Sequence, residues 1–277
     1  MKSQTSLGRF QHTIWDYYRK HGRHAMRWRK TRDPYKILVS EIMLQQTQVK
    51  RVEKFYPKFI GAFPNFRALA RAPLKSVLKI WQGMGYNRRA MALKKIAQKI
   101  DTEYHGKLPD DIETLKLLPG IGEATASAVI AYAFNRPVAF VETNIRRVFI
   151  FYFFTEKHTP SSRLPLSRGR SIRDQEILKL VAQTLDRKNP RAWYWALMDY
   201  GVMLAAREKE NPNTRSARYR KQSRFEGSRR QMRGMVLRLL LAQGSATRRE
   251  LKEFQNALPG LLREGFIKKA KGAYRLV

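Results

Sequence analysis

A short segment with two glycines, residues 117–122, places the strongest constraint on how this chain can fold. It reads LLPGIG, and the sequence EATASAVIAYAF follows it directly. Pro119 lacks an N–H group, so the preceding helix must end there, and the glycines permit backbone angles that other residues avoid. The small side chains after the turn predict a helix that another backbone can approach closely. We therefore expect two helices joined by a tight turn.

This turn has two interpretations. Exposed amides on a glycine turn, followed at once by a helix N-terminus, suit a phosphate group. Gly120 and Gly122, with Leu118 beside them, would then lie against a bound anion. The same segment taken alone is equally compatible with an ordinary connection between helices.

The charge of the chain indicates a polyanionic partner. Among 277 residues, 56 are Lys or Arg and 22 are Asp or Glu, a formal net charge of +34. So many positive charges repel one another, and the excess is favourable mainly beside nucleic acid or an anionic membrane. No run of 18 apolar residues and no signal peptide is recognisable, so nucleic acid is favoured and a membrane is not expected. We expect a cytoplasmic protein associated with DNA, and not a secreted one.

The absence of cysteine limits the cross-links, nucleophiles and metal sites that this chain can form. It excludes disulfides, thiolate catalysis, an iron–sulfur cluster and cysteine-based zinc sites. From the residues alone we expect neither a metal site nor an organic cofactor.

Apolar residues recur at helical spacing along most of the chain, with short connections containing Pro or Gly. The pattern predicts a mainly α-helical fold, a basic loop over 157–173 and a weakly structured basic stretch over 207–228. Residues 229–277 have a different pattern and predict a small module similar to a winged helix. In this module we expect three helices, the second starting at a cap-like Ser245 or Thr247, and a hairpin around Lys271 and Gly272.

Three acids lie in apolar surroundings. The spacing places Glu41 on or beside a buried helix face, where desolvation would raise its pKa and make it a proton donor. An acid paired at the edge of that face is the alternative, and this segment alone favours it. Glu142 opens a helix whose dipole would keep it ionised, although a simple capping acid is the preferred local interpretation. Asp199 is expected to be a satisfied core acid. A neutral acid opposite a fixed anion is the arrangement that cleaves glycosidic bonds.

Two polar segments suit contact with bases. Gln45 and Gln46 belong to a dense set of neutral hydrogen-bonding side chains, which would form a polar wedge or a solvated helix face. Tyr86 follows a second glycine-bearing junction and is flanked by Arg88 and Arg89. It could stack on a base beside the phosphate backbone, or it could be an aromatic plug with solvated arginines.

The segments LxEIMLQQTQV, WQGMGYNRRA, LPGIGEATASAV and VETNIRRV, in this order and spacing, resemble helix-hairpin-helix (HhH-GPD) DNA glycosylases. The closest likeness is to the adenine-specific, MutY-type branch, over roughly residues 10–206. The resemblance implies a two-lobed glycosylase core in residues 1–228. One lobe of six helices would span about 29–134, and the other would combine the N-terminal helix with about 135–206.

The resemblance also implies roles for individual residues. Glu41 would protonate N7 of an extruded adenine, and Glu142 would occupy the position of an ion-stabilising aspartate. Gln46 and Tyr86 would wedge into the duplex near the opposite base. Trp28, Thr47 and Asn144 would line or support the pocket. The residues expected to contact DNA are Gln45, Gln46, Met84, Tyr86, Arg88, Leu118, Gly120 and Gly122.

The implied activity is base excision repair of double-stranded DNA that carries a mispaired or oxidised base. A monomeric, monofunctional glycosylase would hydrolyse the N-glycosidic bond of a flipped adenine opposite guanine or 8-oxoguanine, with a monovalent cation at the hairpin. Ala124 stands where relatives that also cut the backbone carry a lysine, so no efficient lyase step is expected. Two alternatives are a thymine or uracil mismatch glycosylase and an inactive DNA-binding or architectural protein on the same fold.

Three features depart from the family pattern. Glu142 stands where the family usually has Asp, and the extra methylene displaces the charge by about one bond length. The four-cysteine iron–sulfur loop of many relatives is absent, and residues 207–228 would take its place. The domain with which many relatives read 8-oxoguanine is not recognisable.

The net charge leads to a first test. We expect the affinity for duplex DNA to fall by at least about 100-fold between low and physiological salt, because binding releases counterions. Fluorescence anisotropy titrations over a salt series measure this slope. An affinity that hardly changed with salt would contradict the inference of a polyanionic partner.

Overall fold

The computed structural model describes residues 6–155, 171–270 and 272–277. Helices make up most of these residues, as the sequence predicts, and none of those helices is long and apolar enough to cross a membrane. The α-helices are α1 (Ser6–His21), α2 (Pro34–Leu44), α3 (Val49–Ala62), α4 (Phe66–Arg71), α5 (Leu74–Trp81), α6 (Arg88–Glu103), α7 (Ile112–Lys116), α8 (Glu123–Phe134), α9 (Thr143–Phe153), α10 (Asp174–Thr184), α11 (Pro190–Arg207), α12 (Arg229–Gln243) and α13 (Leu258–Arg263). Short 3-10 helices span Arg27–Arg29, Pro212–Arg215 and Lys252–Ala257.

The chain forms two compact units. Unit 1 comprises the described residues of Met1–Ile37, Asp110–Leu117 and Ile121–Lys221; unit 2 comprises those of Leu38–Pro109, Leu118–Gly120 and Gln222–Val277. Residues 222–277 therefore share a unit with residues 38–109. The lobe boundaries and the separate C-terminal module expected from the sequence stay predictions.

Unit 1 has an aromatic core in which α11 packs against α1, α8 and α9. Trp193 of α11 is fully buried, and Phe10 and Phe149 pack nearby with ring centroids 5.2 Å apart. A glycine permits the close approach of α9 and α11, because a Cβ at Gly201 would lie 2.7 Å from the Cβ and carbonyl oxygen of Asn144. No real Cβ tolerates such a distance, so the contact requires glycine at this position.

Asp199 lies inside this core and is satisfied, which confirms the expectation for it. Its carboxylate is 3% exposed and accepts hydrogen bonds from the backbone N–H of Arg23 at 2.8 Å and from the Arg29 guanidinium at 2.7 and 2.8 Å. Burial opposes ionisation, but the donors from Arg29 and Arg23 outweigh it, and the pKa of Asp199 lies below its ordinary value. The carboxylate thus ties the segment after α1 to α11.

Unit 2 combines a bundle of α3 to α6 with the C-terminal residues. Helix α6 packs against α4 and α5, around the fully buried side chains of Phe59 and Trp81. Helix α12 packs against a three-stranded antiparallel sheet with the order β1 (Ser245–Thr247), β3 (Ala273–Leu276), β2 (Ile267–Ala270). The pairing of β2 with β3 confirms the predicted terminal hairpin, although Lys271 lies outside the described residues.

The second helix predicted in the C-terminal residues is wrong at its start. Ser245, Ala246 and Thr247 pair with Arg275, Tyr274 and Ala273, so they form a strand. Thr247 also makes the contacts of a cap, because its backbone N–H donates to the Glu250 carboxylate at 2.7 Å and its hydroxyl accepts from the Glu250 N–H at 3.3 Å. A 3-10 helix follows only at Lys252–Ala257. The partner strand lies almost thirty residues further along the chain, and a local pattern does not reveal such a partner.

The two predicted basic loops have different outcomes. Most of the loop over 157–173 lies outside the described residues. The stretch over 207–228 is more ordered in its first half than predicted, because Ile172 forms a parallel bridge with Ser216 and exchanges backbone hydrogen bonds of 2.8 and 2.9 Å with Arg215 and Ala217. Asn213 and Ser216 are buried there.

The Asp199 ion pairs predict acid sensitivity. Because the pKa of Asp199 is lowered on folding, its ionised form stabilises the protein above its ordinary value of 3.8, and that stability is lost as the pH falls through the folded pKa. Asp199→Asn should lower the free energy of unfolding at neutral pH by about 3–5 kcal/mol, since it leaves buried guanidinium charge unpaired. It should also flatten the acid limb of the stability curve.

Urea unfolding over a pH series measures both effects. Asp16→Asn is the control, because Asp16 is a partly exposed acid of α1 that pairs with Lys20 on the surface. Equal pH dependence in the wild type and Asp199→Asn would contradict this assignment.

Candidate functional site

Glu41 lies on a helix that is buried almost all round. From Ile37 to Met43 every residue other than Glu41 is at most 2% exposed, and Glu41 is half-buried. The spacing prediction is confirmed in this respect. Glu41 is thus the partly exposed residue in an otherwise buried stretch of this helix, a position that suits an acid acting on a bound group.

Glu142 caps α9. Its Oε1 accepts hydrogen bonds from the backbone N–H groups of Asn144 at 2.6 Å and Ile145 at 2.8 Å, so the capping interpretation is confirmed. Burial raises the pKa of Glu142, against the opposing effect of these two donors and of Arg146. This shift is opposite in sign to the expectation from the helix dipole, because desolvation outweighs the cap.

Side chains of unit 1 hold the first turn of α9. The Asn144 Oδ1 accepts a hydrogen bond from Arg147 at 2.7 Å, and Arg147 also donates to the carbonyl oxygen of Gly201 at 2.9 Å. Arg146 pairs with Asp174 through two hydrogen bonds of 2.7 and 2.8 Å. Asn144 therefore links the turn that carries Glu142 to α11.

Asn213 supports the same turn and was not among the predicted residues. It is 4% exposed, and its Nδ2 donates to the carbonyl oxygen of Thr143, directly after Glu142, at 3.0 Å. The sequence Asn211-Pro212 carried a signal for this short helical turn, since Asn before Pro marks a helix start. The contact itself joins residues 70 positions apart and has no local signal.

Gln46 and Tyr86 both adopt left-handed backbone angles, with φ of 52° and 49°. This conformation costs a residue with a side chain roughly 1–2 kcal/mol, and such residues concentrate where function requires a particular backbone. Gln46 is exposed and Tyr86 half-buried. The two residues predicted to wedge into DNA thus occupy strained turns in unit 2.

Arg89 holds both turns. At the end of α2 and in the turn that follows it, the acceptors of the Arg89 guanidinium are the carbonyl oxygens of Ile42, Met43 and Gln45, at 3.1, 2.8 and 2.5 Å, and the Thr47 hydroxyl, at 2.9 Å. From the second turn it reaches the carbonyl oxygens of Met84 and Gly85 at 3.3 and 3.2 Å. Burial lowers the pKa of Arg89 to about 10. The expectation of a solvated arginine or a phosphate contact is wrong for Arg89, which is 8% exposed.

The glycine turn joins α7 to α8 as predicted. Asp111 caps α7 through the backbone N–H of Thr114 at 2.8 Å, and Lys116 forms an ion pair of 2.8 Å with Glu123 at the start of α8. Gly120 has φ of 81°, and a Cβ there would lie 3.1 Å from the Ala92 Cβ. Gly122 caps α8 without a side chain.

Two predicted DNA contacts have buried side chains. Leu118 and Met84 are each 1% exposed and contribute to the core, whereas the neighbouring Leu117 is 69% exposed. Their side chains are therefore not available to DNA, and only their backbone could take part. Apolar character beside a glycine turn did not distinguish a core side chain from an exposed one.

The remaining predicted residues lie in varied surroundings. Trp28 is 6% exposed in the Arg27–Arg29 helix, and Gln45 and Thr47 are half-buried. Arg88 is exposed and pairs with Glu264. Within the ranges that the structure describes, no cluster of three or more His, Asp or Glu side chains could hold a metal ion.

The family model described as HhH-GPD superfamily base excision DNA repair protein matches residues 39–165. An adenine DNA glycosylase of Buchnera aphidicola subsp. Baizongia pistaciae is 35% identical over 207 residues, which cover 73% of this chain and 54% of that protein. The adenine DNA glycosylase of Mycolicibacterium smegmatis is 32% identical over 237 residues, covering 79% and 76%. The structure of a thermostable thymine-DNA glycosylase matches with a TM-score of 0.62 and 28% identity, covering 74% of this chain and 90% of that one.

The chain spans about half the length of the Buchnera relative and three quarters of the mycobacterial one. The helix-hairpin-helix segment and the strained turns lie within the matched range. The chain therefore belongs to the HhH-GPD superfamily of base excision DNA repair proteins.

Proposed function

We propose that this protein is a monofunctional DNA glycosylase that removes adenine mispaired with guanine or 8-oxoguanine. The observation that carries the proposal is that Glu41 and Glu142 both lie inside the family match over residues 39–165, among relatives that are adenine DNA glycosylases. Glu41 is half-buried in an otherwise buried stretch of α2, and Glu142 is the N-cap of α9. These environments suit a proton donor and a carboxylate that stabilises positive charge.

In the proposed reaction, the target nucleotide leaves the stack before chemistry begins. Glu41 donates a proton to N7 of adenine, the C1′–N9 bond breaks with its electron pair moving to the base, and the sugar develops oxocarbenium character. The Glu142 carboxylate stabilises that cation. Water then adds to C1′ and loses a proton, which leaves free adenine and an abasic site. Ala124 provides no amine for a Schiff base, so the strand stays intact.

The DNA partner of the proposal is a duplex with one mispaired or oxidised base. Gln46 and Tyr86, on their strained turns, would insert near the opposite base. The backbone N–H groups around Gly120 and Gly122 would hold a phosphate, with a monovalent cation at the hairpin. The protein would act as a monomer without an iron–sulfur cluster, and Asn213 would help to hold the turn that carries Glu142.

A thymine or uracil mismatch glycosylase is the second candidate. Its support is the similarity to the thermostable thymine-DNA glycosylase, which covers 90% of that chain. A third candidate, an inactive DNA-binding protein, is favoured only by Glu142 in place of the usual Asp. One substrate panel separates all three.

Glu41→Gln should slow single-turnover base release by at least about 1,000-fold, because the amide of glutamine cannot donate a proton to the base as a carboxylic acid does. The affinity for DNA should stay within about twofold, since the Glu41 carboxylate is not one of the basic groups that attract phosphates. The panel carries A opposite 8-oxoguanine, A opposite G, T opposite G and U opposite G, with alkali to reveal abasic sites. Glu53→Gln, on the exposed face of α3, is the matched control.

Release of thymine or uracil alone would favour the second candidate. Binding without release from any duplex would favour the inactive protein. Undiminished release by Glu41→Gln would eliminate Glu41 as the acid.

Two substitutions of Glu142 test its role, one that removes the charge of the side chain and one that shortens it. Glu142→Gln keeps a capping oxygen but loses the carboxylate, and we expect release to slow by at least about 100-fold. Glu142→Asp keeps both charge and cap, so its rate should stay within about tenfold of the wild type. Because the pKa of Glu142 is raised, wild-type release should increase as the pH rises through it, and the Gln variant should lack that limb. Equal rates for the Gln variant and the wild type would refute the role.

A further inference from the structure

We propose that the C-terminal segment, residues 222–277, contributes to DNA probing through Tyr86, which its Arg230 positions for insertion. This inference rests on the proposed function, in which Tyr86 enters the duplex. All the residues concerned belong to unit 2. The segment lies beyond the 39–165 range of the family match.

Arg230 contacts Tyr86 in two ways. Its guanidinium carbon lies 4.8 Å from the centre of the Tyr86 ring, a cation–π distance, and its Nη1 donates to the phenol oxygen. Gln222 donates to the same oxygen, and the ring of Phe225 lies 5.3 Å from the Arg230 guanidinium. The C-terminal segment therefore restrains both the ring and the hydroxyl of Tyr86.

A second contact anchors the segment to the same turn. Glu264 accepts hydrogen bonds from Arg88 at 2.7 and 2.6 Å and from Arg233 at 3.0 and 2.6 Å. Arg88 lies two residues after Tyr86, and Arg233 lies on the helix that carries Arg230. The turn that carries Tyr86 is thus joined to α12 twice, directly by Arg230 and through Glu264 by Arg88 and Arg233. The second contact keeps Arg230 beside Tyr86.

The conformation of Tyr86 explains why such support matters. Its φ of 49° is unfavourable, so the turn tends to relax unless neighbouring groups hold it. Arg89 holds it from the core side, with its guanidinium 5.2 Å from the ring centre. Arg230 supplies the restraint from the C-terminal segment. A tyrosine held by two guanidinium groups loses little further freedom when it inserts.

The charge of the segment argues that it supports DNA binding and is not a cover over the site. Residues 222–277 contain thirteen Lys or Arg and four Asp or Glu. A segment that occupied a DNA site in place of DNA would be expected to be acidic, whereas this one attracts phosphates. Arg89 and Arg230 lie against the Tyr86 ring, and the nearby carboxylate of Glu264 pairs with Arg88 and Arg233.

The test is a double-mutant cycle of Arg230→Ala and Tyr86→Ala. Base release is measured in single turnover at saturating protein. Unstacking is measured by the fluorescence of 2-aminopurine placed beside the target base, which does not require chemistry. Arg238→Ala is the matched control, because Arg238 is an exposed residue of the same helix and its loss removes the same charge.

We expect Arg230→Ala to slow release by at least about tenfold and to reduce the fluorescence rise to the level of Tyr86→Ala. In the Tyr86→Ala background, Arg230→Ala should have no further effect, because it acts through Tyr86. Arg238→Ala should stay within about twofold of the wild type. Arg230→Lys, which keeps the charge without the planar group, should be intermediate, and it carries the test if Arg230→Ala does not fold.

Three outcomes would overturn the inference: additive effects of the two alanine variants, equal effects of Arg230→Ala and Arg238→Ala, or faster release and tighter binding by Arg230→Ala, as a cover would give. Absence of base release by the wild type on every duplex is a different result. It rejects the proposed function, while the fluorescence cycle still reports whether Arg230 positions Tyr86.

Discussion

The buried guanidinium of Arg89 is the interaction on which the candidate DNA-contacting turns depend. Removing an ion from water costs several kcal/mol, and hydrogen-bond partners are needed to offset that cost. Arg89 has six, five of them backbone carbonyl oxygens. Those of Ile42 and Met43 belong to the last turn of α2, where carbonyl groups lack partners within the helix and attract positive charge. One side chain therefore ends α2 and fixes the turns of Gln46 and Tyr86.

The turn of Glu142 in unit 1 is organised by hydrogen bonds instead of a buried charge. Its carboxylate is both the cap of α9 and the proposed anion of the reaction, and these roles place opposite demands on its surroundings. Capping donors favour the ionised form, while burial disfavours it and prevails. Asn213, in the segment that follows α11, donates a hydrogen bond to the carbonyl oxygen of Thr143, the residue after Glu142. A few side-chain hydrogen bonds and a short backbone bridge organise this stretch of a chain without cysteine.

Charge has two uses in this protein. Most of the excess Lys and Arg is solvated and gives a general attraction to phosphate. A smaller set forms contacts within the fold: Arg29 with Asp199, Arg89 with carbonyl groups, Arg146 with Asp174 and Arg233 with Glu264. A count of charges does not separate the two sets, because an arginine that ends a helix and one that meets DNA have the same local sequence requirements.

The sequence by itself determined the features that depend on neighbours along the chain. Helical periodicity predicted the mainly α fold, Pro119 and Gly120 the hairpin, and the spacing around Glu41 its place on a buried helix. The tertiary structure alone decided the features that depend on distant partners. The strand at Ser245–Thr247, the buried side chains of Leu118 and Met84, the support from Asn213 and the carbonyl contacts of Arg89 all require residues brought together by folding. The pKa of Glu142 belongs with them, because the helix dipole can be read from a single turn, whereas desolvation is set by everything that packs around it.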